Sequence, residues 1–149
     1  MYAPHTVTLF TLSEDPDTGK SRYSATVLRG VFLEESAGAE VQKSGLRSTG
    51  EARLFIPFSV KAEDAFTGEE KVYVGPGEYA RLADKAGFWT LKTEGTSSAC
   101  DCWFVKGEVT EVMRYGTMRE TYEGVYRIRA VTARDYGSEA LRHWDVSGA

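Results

Sequence analysis

The sequence contains little of what defines several large protein classes. It has only two cysteines in 149 residues, too few for a disulfide framework, so a reducing cytoplasm is the expected place of synthesis. Its longest tight apolar cluster, residues 54–58, is far too short to cross a bilayer. Its first residues lack the basic-then-apolar order of a secretory signal. These absences indicate a soluble protein with no membrane partner.

An excess of basic residues is also absent. Lysine and arginine together number 18 against 22 acidic residues, which gives a net charge of −4. This balance argues against a protein whose main affinity is for nucleic-acid phosphates. Hydrophobic residues make up 42% of the chain and charged residues 27%, so the disordered class does not fit either. We expect one domain spanning residues 1–149.

Short bursts of aromatic and β-branched residues, separated by turn-forming residues, predict a mainly β fold. The first strand is expected at His5–Leu12, where threonines fall between apolar residues. Residues 14–19 contain the Asp, Pro and Gly of a hairpin turn. A second strand is expected at Tyr23–Glu34, with a bulge or bend at Gly30. The apolar residues expected on one face of this strand are Ala25, Val27, Val31 and Leu33.

The rest of the chain predicts further short strands and one helix. Pro57 lacks a backbone donor, so the strand at Ala52–Val60 is expected at a sheet edge or with a bulge. Tyr79, Leu82, Ala83 and Ala86 are spaced three and four apart, which predicts a short helix over about residues 78–86. The fold class is therefore a small β-barrel or sandwich of about eight strands, with long loops. The remaining strands are expected at Lys71–Val74, Phe88–Thr93, Cys102–Met113, Tyr122–Ala133 and His143–Ser147.

The strand pattern is lost between Ser36 and Gly50. This segment has three glycines and three serines, with Val41 and Leu46 as its only large apolar residues. A long segment of this kind in a small domain is commonly functional. We therefore expect a flexible loop at about residues 36–50 that makes a partner contact. In that contact Val41 and Leu46 would be apolar anchors, and Lys43 and Arg47 would bind acidic groups.

No residue pattern predicts catalysis, a metal or a cofactor. Cys100 and Cys102 share a face if they lie on a strand, but structural zinc needs about four ligands. The only other soft ligands, His5 and His143, lie near opposite ends of the chain. Neither a GxSxG motif nor a local Cys–His signature is present. We expect a protein that is not an enzyme and that takes no cofactor.

Trp89, Trp103 and Trp144 leave two alternatives open. Exposed and coplanar, these rings would stack on sugars and favour a carbohydrate-binding β module, although β-rich cores more often bury such residues. A pocket that gathers Glu or Asp around His5 or His143 would instead favour a hydrolase on a β-barrel scaffold.

Several short segments follow one another along the chain in a recurring order. The segments are Val7-Thr8-Leu9, Arg29-Gly30-Val31-Phe32, Lys43-Ser44-Gly45-Leu46, Phe55-Ile56-Pro57, Tyr73-Val74-Gly75-Pro76 with Glu78-Tyr79, Gly87-Phe88-Trp89-Thr90-Leu91 and Phe104-Val105-Lys106-Gly107-Glu108-Val109. In this order the chain resembles small structural proteins encoded in the head–tail region of tailed bacteriophages and prophages of Gram-positive bacteria, often called minor capsid, head-closure or stopper proteins. The resemblance covers roughly residues 5 to 110.

The resemblance implies a small β-barrel that joins other copies in a ring at the head–tail interface of the virion. Such a ring closes the DNA-filled head and docks the tail. Its implied partners are further copies of itself, the portal or adaptor protein and the tail terminator, with packaged DNA nearby. The protein would be made in the cytoplasm of the bacterial host. A tail terminator or an adaptor of the same particle is the alternative within this class.

Overall fold

The fold is mainly β, as the sequence predicts. The computed structural model describes residues 3–14, 19, 21–42, 45–93 and 102–149. Within these residues it contains nine strands, two short helices and one 3-10 turn at Glu139–Leu141. The elements are β1 (His5–Glu14), β2 (Ser21–Gln42), β3 (Gly45–Pro57), β4 (Lys61–Asp64), β5 (Val72–Tyr73), α1 (Pro76–Arg81), β6 (Phe88–Trp89), β7 (Cys102–Lys106), α2 (Tyr115–Thr121), β8 (Val125–Arg134) and β9 (His143–Gly148).

Six of the strands close into a barrel in the order β1-β7-β8-β9-β3-β2. The pairing of β1 with β2 completes the ring, and all neighbours in it are antiparallel. The long strand β2 pairs with β3 along its second half, and residues 26–29 of its first half pair with β4. Strands β5 and β6 form a separate two-stranded parallel sheet.

The barrel interior is filled from all six strands. Period-2 alternation places one set of residues inside and the next set outside. Leu9 and Phe104 lie in the interior, whereas their neighbours Phe10 and Trp103 lie in a second cluster together with Met118 of α2. The interior residues contributed by the barrel strands are Val7, Leu9, Leu28, Val31, Leu33, Ala52, Leu54, Ile56, Cys102, Phe104, Tyr126, Ile128, Trp144 and Val146.

The second cluster lies on the outer face of the barrel, where α2 packs against it. Its buried residues are Phe10, Ala25, Trp103, Val105, Val109, Met118 and Val125. The rings of Phe10 and Trp103 stack with centroids 5.6 Å apart. The indole N–H of Trp103 donates to the sulfur of Met118 at 3.1 Å, so this buried polar atom has a partner. The helix α2 was not predicted, although Tyr115, Met118 and Tyr122 have helical spacing and all contribute to this cluster. Thr117 and Gly116, poor helix formers, mask that signal.

Gly30 forms the predicted bulge. Its φ is +83°, and the pairing of β1 with β2 shifts register between His5 and Thr6, opposite this residue. The extra residue moves the alternation by one position, so Leu28 and Val31 share the interior face. The expectation that Ala25 lies on the same face as Val31 and Leu33 is therefore wrong. Ala25 lies in the outer cluster instead.

The predictions for β3 and for the helix need correction. Strand β3 lies between β2 and β9, but its pairing with β2 ends at Phe55, so β9 is the one neighbouring strand at Pro57 and the proline sits at a local edge. The helix α1 begins earlier than expected because Pro76 occupies its first turn. It ends at Arg81 because Leu82 is extended. Beyond it, the carboxylate of Asp84 accepts the Ala86 amide in a local turn.

The described residues of the predicted loop, 36–42 and 45–50, form strands instead. The backbone continues β2 through Gln42 and resumes β3 at Gly45 in register, with Ala37 opposite Gly50 and Gln42 opposite Gly45. Backbone hydrogen bonding between two extended segments does not require apolar periodicity, so the sequence pattern gave no sign of it. None of the helices in the described ranges has the length and apolar character needed to span a membrane.

Candidate functional site

The most prominent feature is a two-stranded extension of the barrel, formed by residues 36–42 of β2 and 45–50 of β3, here called the arm. Its strands pair with each other along their whole described length. The barrel pairing of β3 with β9 begins only at Ala52, and that of β2 with β1 ends at Val31. Within the described residues no further strand pairs with the arm, so both of its outer edges are open.

The four residues predicted to make the partner contact fall on the arm. Val41 pairs with Leu46, and Arg47 pairs with Glu40. Lys43 lies outside the described residues, as do the side chains of the other three. The backbone thus brings Val41, Leu46 and Arg47 together at the tip, and their role in binding stays a prediction.

The base of the arm is anchored to the barrel by Glu35. Its carboxylate accepts a hydrogen bond from the Tyr126 hydroxyl of β8 and lies 3.0 Å from the ammonium nitrogen of Lys106 of β7. The Tyr126 hydrogen bond, followed by Lys106, outweighs the cost of burial and holds the pKa of Glu35 below its ordinary value of 4.5. Burial, reinforced by Glu35, raises the pKa of Tyr126. The arm therefore leaves the barrel from a fixed point.

A cavity of about 670 Å³ lies between α1 with the segment that follows it and the wall formed by β2 and the β4 end. This size is typical of small-molecule sites. Its lining carries four basic side chains and two acidic ones, a local excess of positive charge in a chain of net charge −4. The basic residues are Arg22, Lys71, Arg81 and Lys85, and the acidic ones are Asp64 and Asp84.

Lys71 forms the floor of this cavity, with a side chain only 1% exposed. Its ammonium donates to the hydroxyls of Ser24 and Thr26, each at 3.0 Å, and to the Ala25 carbonyl at 3.3 Å. It also lies 3.3 Å from the carboxylate of Asp64. Burial lowers the pKa of Lys71, and Asp64 opposes that shift. All of its donors are used, so this lysine contributes charge to the cavity and no spare hydrogen bond.

Asp64 balances that charge through contacts on both oxygens. One oxygen faces Lys71, and the other accepts the backbone amides of Phe66 and Thr67 at 2.9 and 3.0 Å. Burial raises the pKa of Asp64, but the two amides and Lys71 outweigh it and leave the pKa below its ordinary value of 3.8. The turn after β4 is thereby fixed, and Phe66 stands at the cavity with its side chain 55% exposed.

Comparison with family models assigns the chain to a family. A family model described as "Family of unknown function (DUF6751)" matches residues 2–149. The chain belongs to this family. No curated protein and no solved structure matches it. The membership covers the barrel, the arm and the cavity alike.

The three tryptophans of this DUF6751 member are core residues. Trp103 is fully buried, Trp89 is 3% exposed and Trp144 is 8% exposed. Trp144 and Trp89 pack edge-on with centroids 5.5 Å apart at one end of the barrel, where Tyr73 and Phe58 complete an aromatic group. The coplanar exposed platform that a carbohydrate-binding module requires is therefore not formed by these rings.

The two histidines lie on the outer surface of the barrel and not in the cavity. His5 Nδ1 accepts the Leu33 amide at 3.0 Å, and His143 Nδ1 lies 2.8 Å from the Leu141 carbonyl. His5 contacts Phe32, and His143 contacts Phe55, so the two rings flank a pair of phenylalanines. Neither histidine lines the cavity floored by Lys71.

Cys102 is buried in the barrel interior, with its sulfur 3.8 Å from the Thr11 hydroxyl. Cys100 and Asp101, the other members of the candidate metal motif, lie outside the described residues. Among the residues that the structure covers, no group of three or more His, Cys, Asp or Glu side chains is arranged to hold a metal ion.

Sequence reasoning did not find the cavity. Arg22 comes from the start of β2, Lys71 from the segment before β5, and Arg81 from the end of α1. These positions are up to 59 residues apart and share no spacing rule. The sequence places Lys71 only at the start of an expected strand, Lys71–Val74, and gives no sign that its side chain is buried.

Proposed function

We propose that this protein is a structural subunit of the head–tail connector of a tailed bacteriophage or prophage. Copies of it would form a ring that closes the DNA-filled head and docks the tail. The phage context rests on the ordered segments that resemble head-closure proteins. The single observation that carries the assembly role is the arm, which extends a closed barrel and has two strand edges that no other described strand pairs with.

The arm is suited to contacts between subunits. At about 3.3 Å per residue, the seven residues from Ser36 to Gln42 reach roughly 20 Å from the barrel. Open strand edges accept a strand from another chain through main-chain hydrogen bonds. An element that docks on a different surface of the next copy makes a head-to-tail interface, and such an interface forms a ring when the rotation between successive copies closes.

The barrel provides the rigid frame that such a ring needs. Each of the six barrel strands pairs with a neighbour on both sides over part of its length, whereas the two strands of the arm pair only with each other within the described residues, which favours the arm as the place of association. The net charge of −4 also suits a channel through which DNA passes, because like charges repel DNA from the wall.

Quantitative mass spectrometry of purified particles from the source organism tests the proposal. We expect the chain in intact particles at a copy number close to that of the portal protein. Its absence from infectious particles would overturn the connector role. Cryo-electron microscopy of the same particles would then assign the layer, because a stopper, an adaptor and a tail terminator occupy different heights along the axis.

A further inference from the structure

We propose that the cavity floored by Lys71 binds a small organic molecule through a carboxylate or phosphate group. This site is separate from the arm and does not depend on the connector role. The inference combines the volume of the cavity, the excess of positive charge in its lining and the different states of its four basic side chains.

Two of the four basic side chains already have partners in the protein. Lys71 is saturated by Ser24, Thr26 and Asp64. The Lys85 ammonium donates to the Leu82 carbonyl at 2.8 Å and lies 5.6 Å from the centre of the Tyr79 ring. Both hold their positive charge in place at the wall of the cavity and contribute little hydrogen-bonding capacity to a ligand.

Arg22 and Arg81 differ from the two lysines. Neither guanidinium forms an ion pair with a described residue, and both line the cavity from opposite elements, β2 and α1. A guanidinium presents paired N–H donors that match two oxygens of a carboxylate or a phosphate. These arginines are the groups that would bind the oxyanion, because the charge of Lys71 is already balanced by Asp64.

The remaining lining indicates an organic ligand and not an inorganic ion. A volume of about 670 Å³ exceeds what a single small anion fills, and most of the uncharged residues that line the cavity are apolar. Tyr79 is buried against the cavity, Leu82 is half-buried, and Phe66 is exposed at the rim. An aromatic or aliphatic body would cover these surfaces while its charged group meets the arginines.

The test is a titration of the full chain with small anionic probes, monitored by NMR and by isothermal titration calorimetry. The probes are inorganic phosphate, citrate and adenosine monophosphate, together with a hexaglutamate peptide. We expect citrate or adenosine monophosphate to shift the amide resonances of α1 and of residues 82–86, and to bind more tightly than inorganic phosphate. A carboxylate or a phosphate source is distinguished by which of the two binds.

The double variant Arg22→Gln/Arg81→Gln should weaken the binding of citrate or adenosine monophosphate at least tenfold, because both guanidinium groups and their paired N–H donors are removed. The control Arg119→Gln/Arg129→Gln removes the same charge from surfaces outside the cavity and should change affinity less than twofold. Binding that survives in the cavity variant, or no shift with either organic probe, would overturn the proposal. Binding of hexaglutamate alone would overturn it in favour of a peptide-docking site.

Discussion

At Gly148 the barrel interior leaves no room for a side chain. A Cβ atom built there would lie 2.9 Å from the Cβ of Tyr126 and 3.0 Å from two ring carbons of Phe104. Both neighbours are buried in the interior and cannot move away cheaply. Gly148 is therefore required by the close approach of β9 to β7 and β8.

Gly148→Ala should lower the free energy of unfolding by about 1–3 kcal/mol, the usual cost of overpacking a core. Urea unfolding followed by tryptophan fluorescence measures the change. Gly116→Ala is the matched control, since no atom lies within 4 Å of a Cβ built in α2 at that position. It should leave stability unchanged or raise it by about 0.5–1 kcal/mol. Equal effects of the two substitutions would contradict the packing argument.

Glu35 makes stability depend on pH at the base of the arm. Its pKa in the folded protein is below the ordinary value of 4.5, mainly because of the Tyr126 hydroxyl. A carboxyl with a lowered folded pKa stabilises the fold above its unfolded pKa, and this stabilisation is lost as the pH falls through the folded pKa. The native protein should thus lose stability in acid partly through this group.

Tyr126→Phe should reduce that acid dependence. The difference in the free energy of unfolding between the native protein and the variant is expected to be largest above pH 4.5 and to shrink as the pH falls below it. Urea unfolding from pH 7 to pH 3 measures the difference. Tyr122→Phe is the control, because it removes a hydroxyl that donates to the exposed carboxylate of Glu111 at 2.8 Å. A difference that is the same at pH 3 and pH 7 would show that Glu35 is not the group responsible.

Among the elements, the arm can be separated from the barrel. Replacing residues 37–50 by Asn-Gly would close β2 and β3 at the pair Ser36–Glu51 with a two-residue turn that suits a hairpin. The Glu35 contacts and all barrel pairings remain in this variant. We expect thermal unfolding close to that of the native domain and loss of incorporation into particles.

A second variant separates the length of the arm from its chemistry. Val41→Thr/Leu46→Thr keeps both strands of the arm and removes the two predicted apolar anchors, so incorporation should fall if those residues bind the neighbour. Circular dichroism measures folding, and particle assembly assays measure incorporation, for this variant and for the shortened one.

If the domain with the shortened arm unfolds, the arm is part of the fold and the assignment of an assembly role to it fails.

The element scale also shows where sequence patterns carry information. Strand β1 and the β1–β2 hairpin follow from period-2 alternation and the turn residues, and Gly30 was recognised as a bulge. The bulge shifts the alternation of interior and exterior side chains by one residue. Sequence reasoning missed this shift because it assumes that every residue of a strand switches face. The arm was missed because glycines and serines interrupt the alternation of apolar residues on which strand prediction from sequence depends.

On the scale of the whole molecule, closure of the barrel could not be predicted from the sequence. Phe104 pairs with Leu9 across 95 positions of sequence, and nothing in either segment identifies the other as its partner. The cavity has the same origin, since Arg22 and Arg81 meet only after the long strand β2 and α1 are in place. Local patterns specify elements, and the pairing of distant strands creates the sites.

The position of β9 between β3 and β8 has a consequence for how the chain folds during synthesis. Strands β1, β2 and β3 leave the ribosome early, yet the gap in the ring is filled only by residues 143–148. Until then two strand edges and the apolar lining stay accessible to other nascent chains. Closure of the barrel therefore waits until residues 143–148 have been synthesised, and we expect it to be slow because its contacts join residues far apart in sequence.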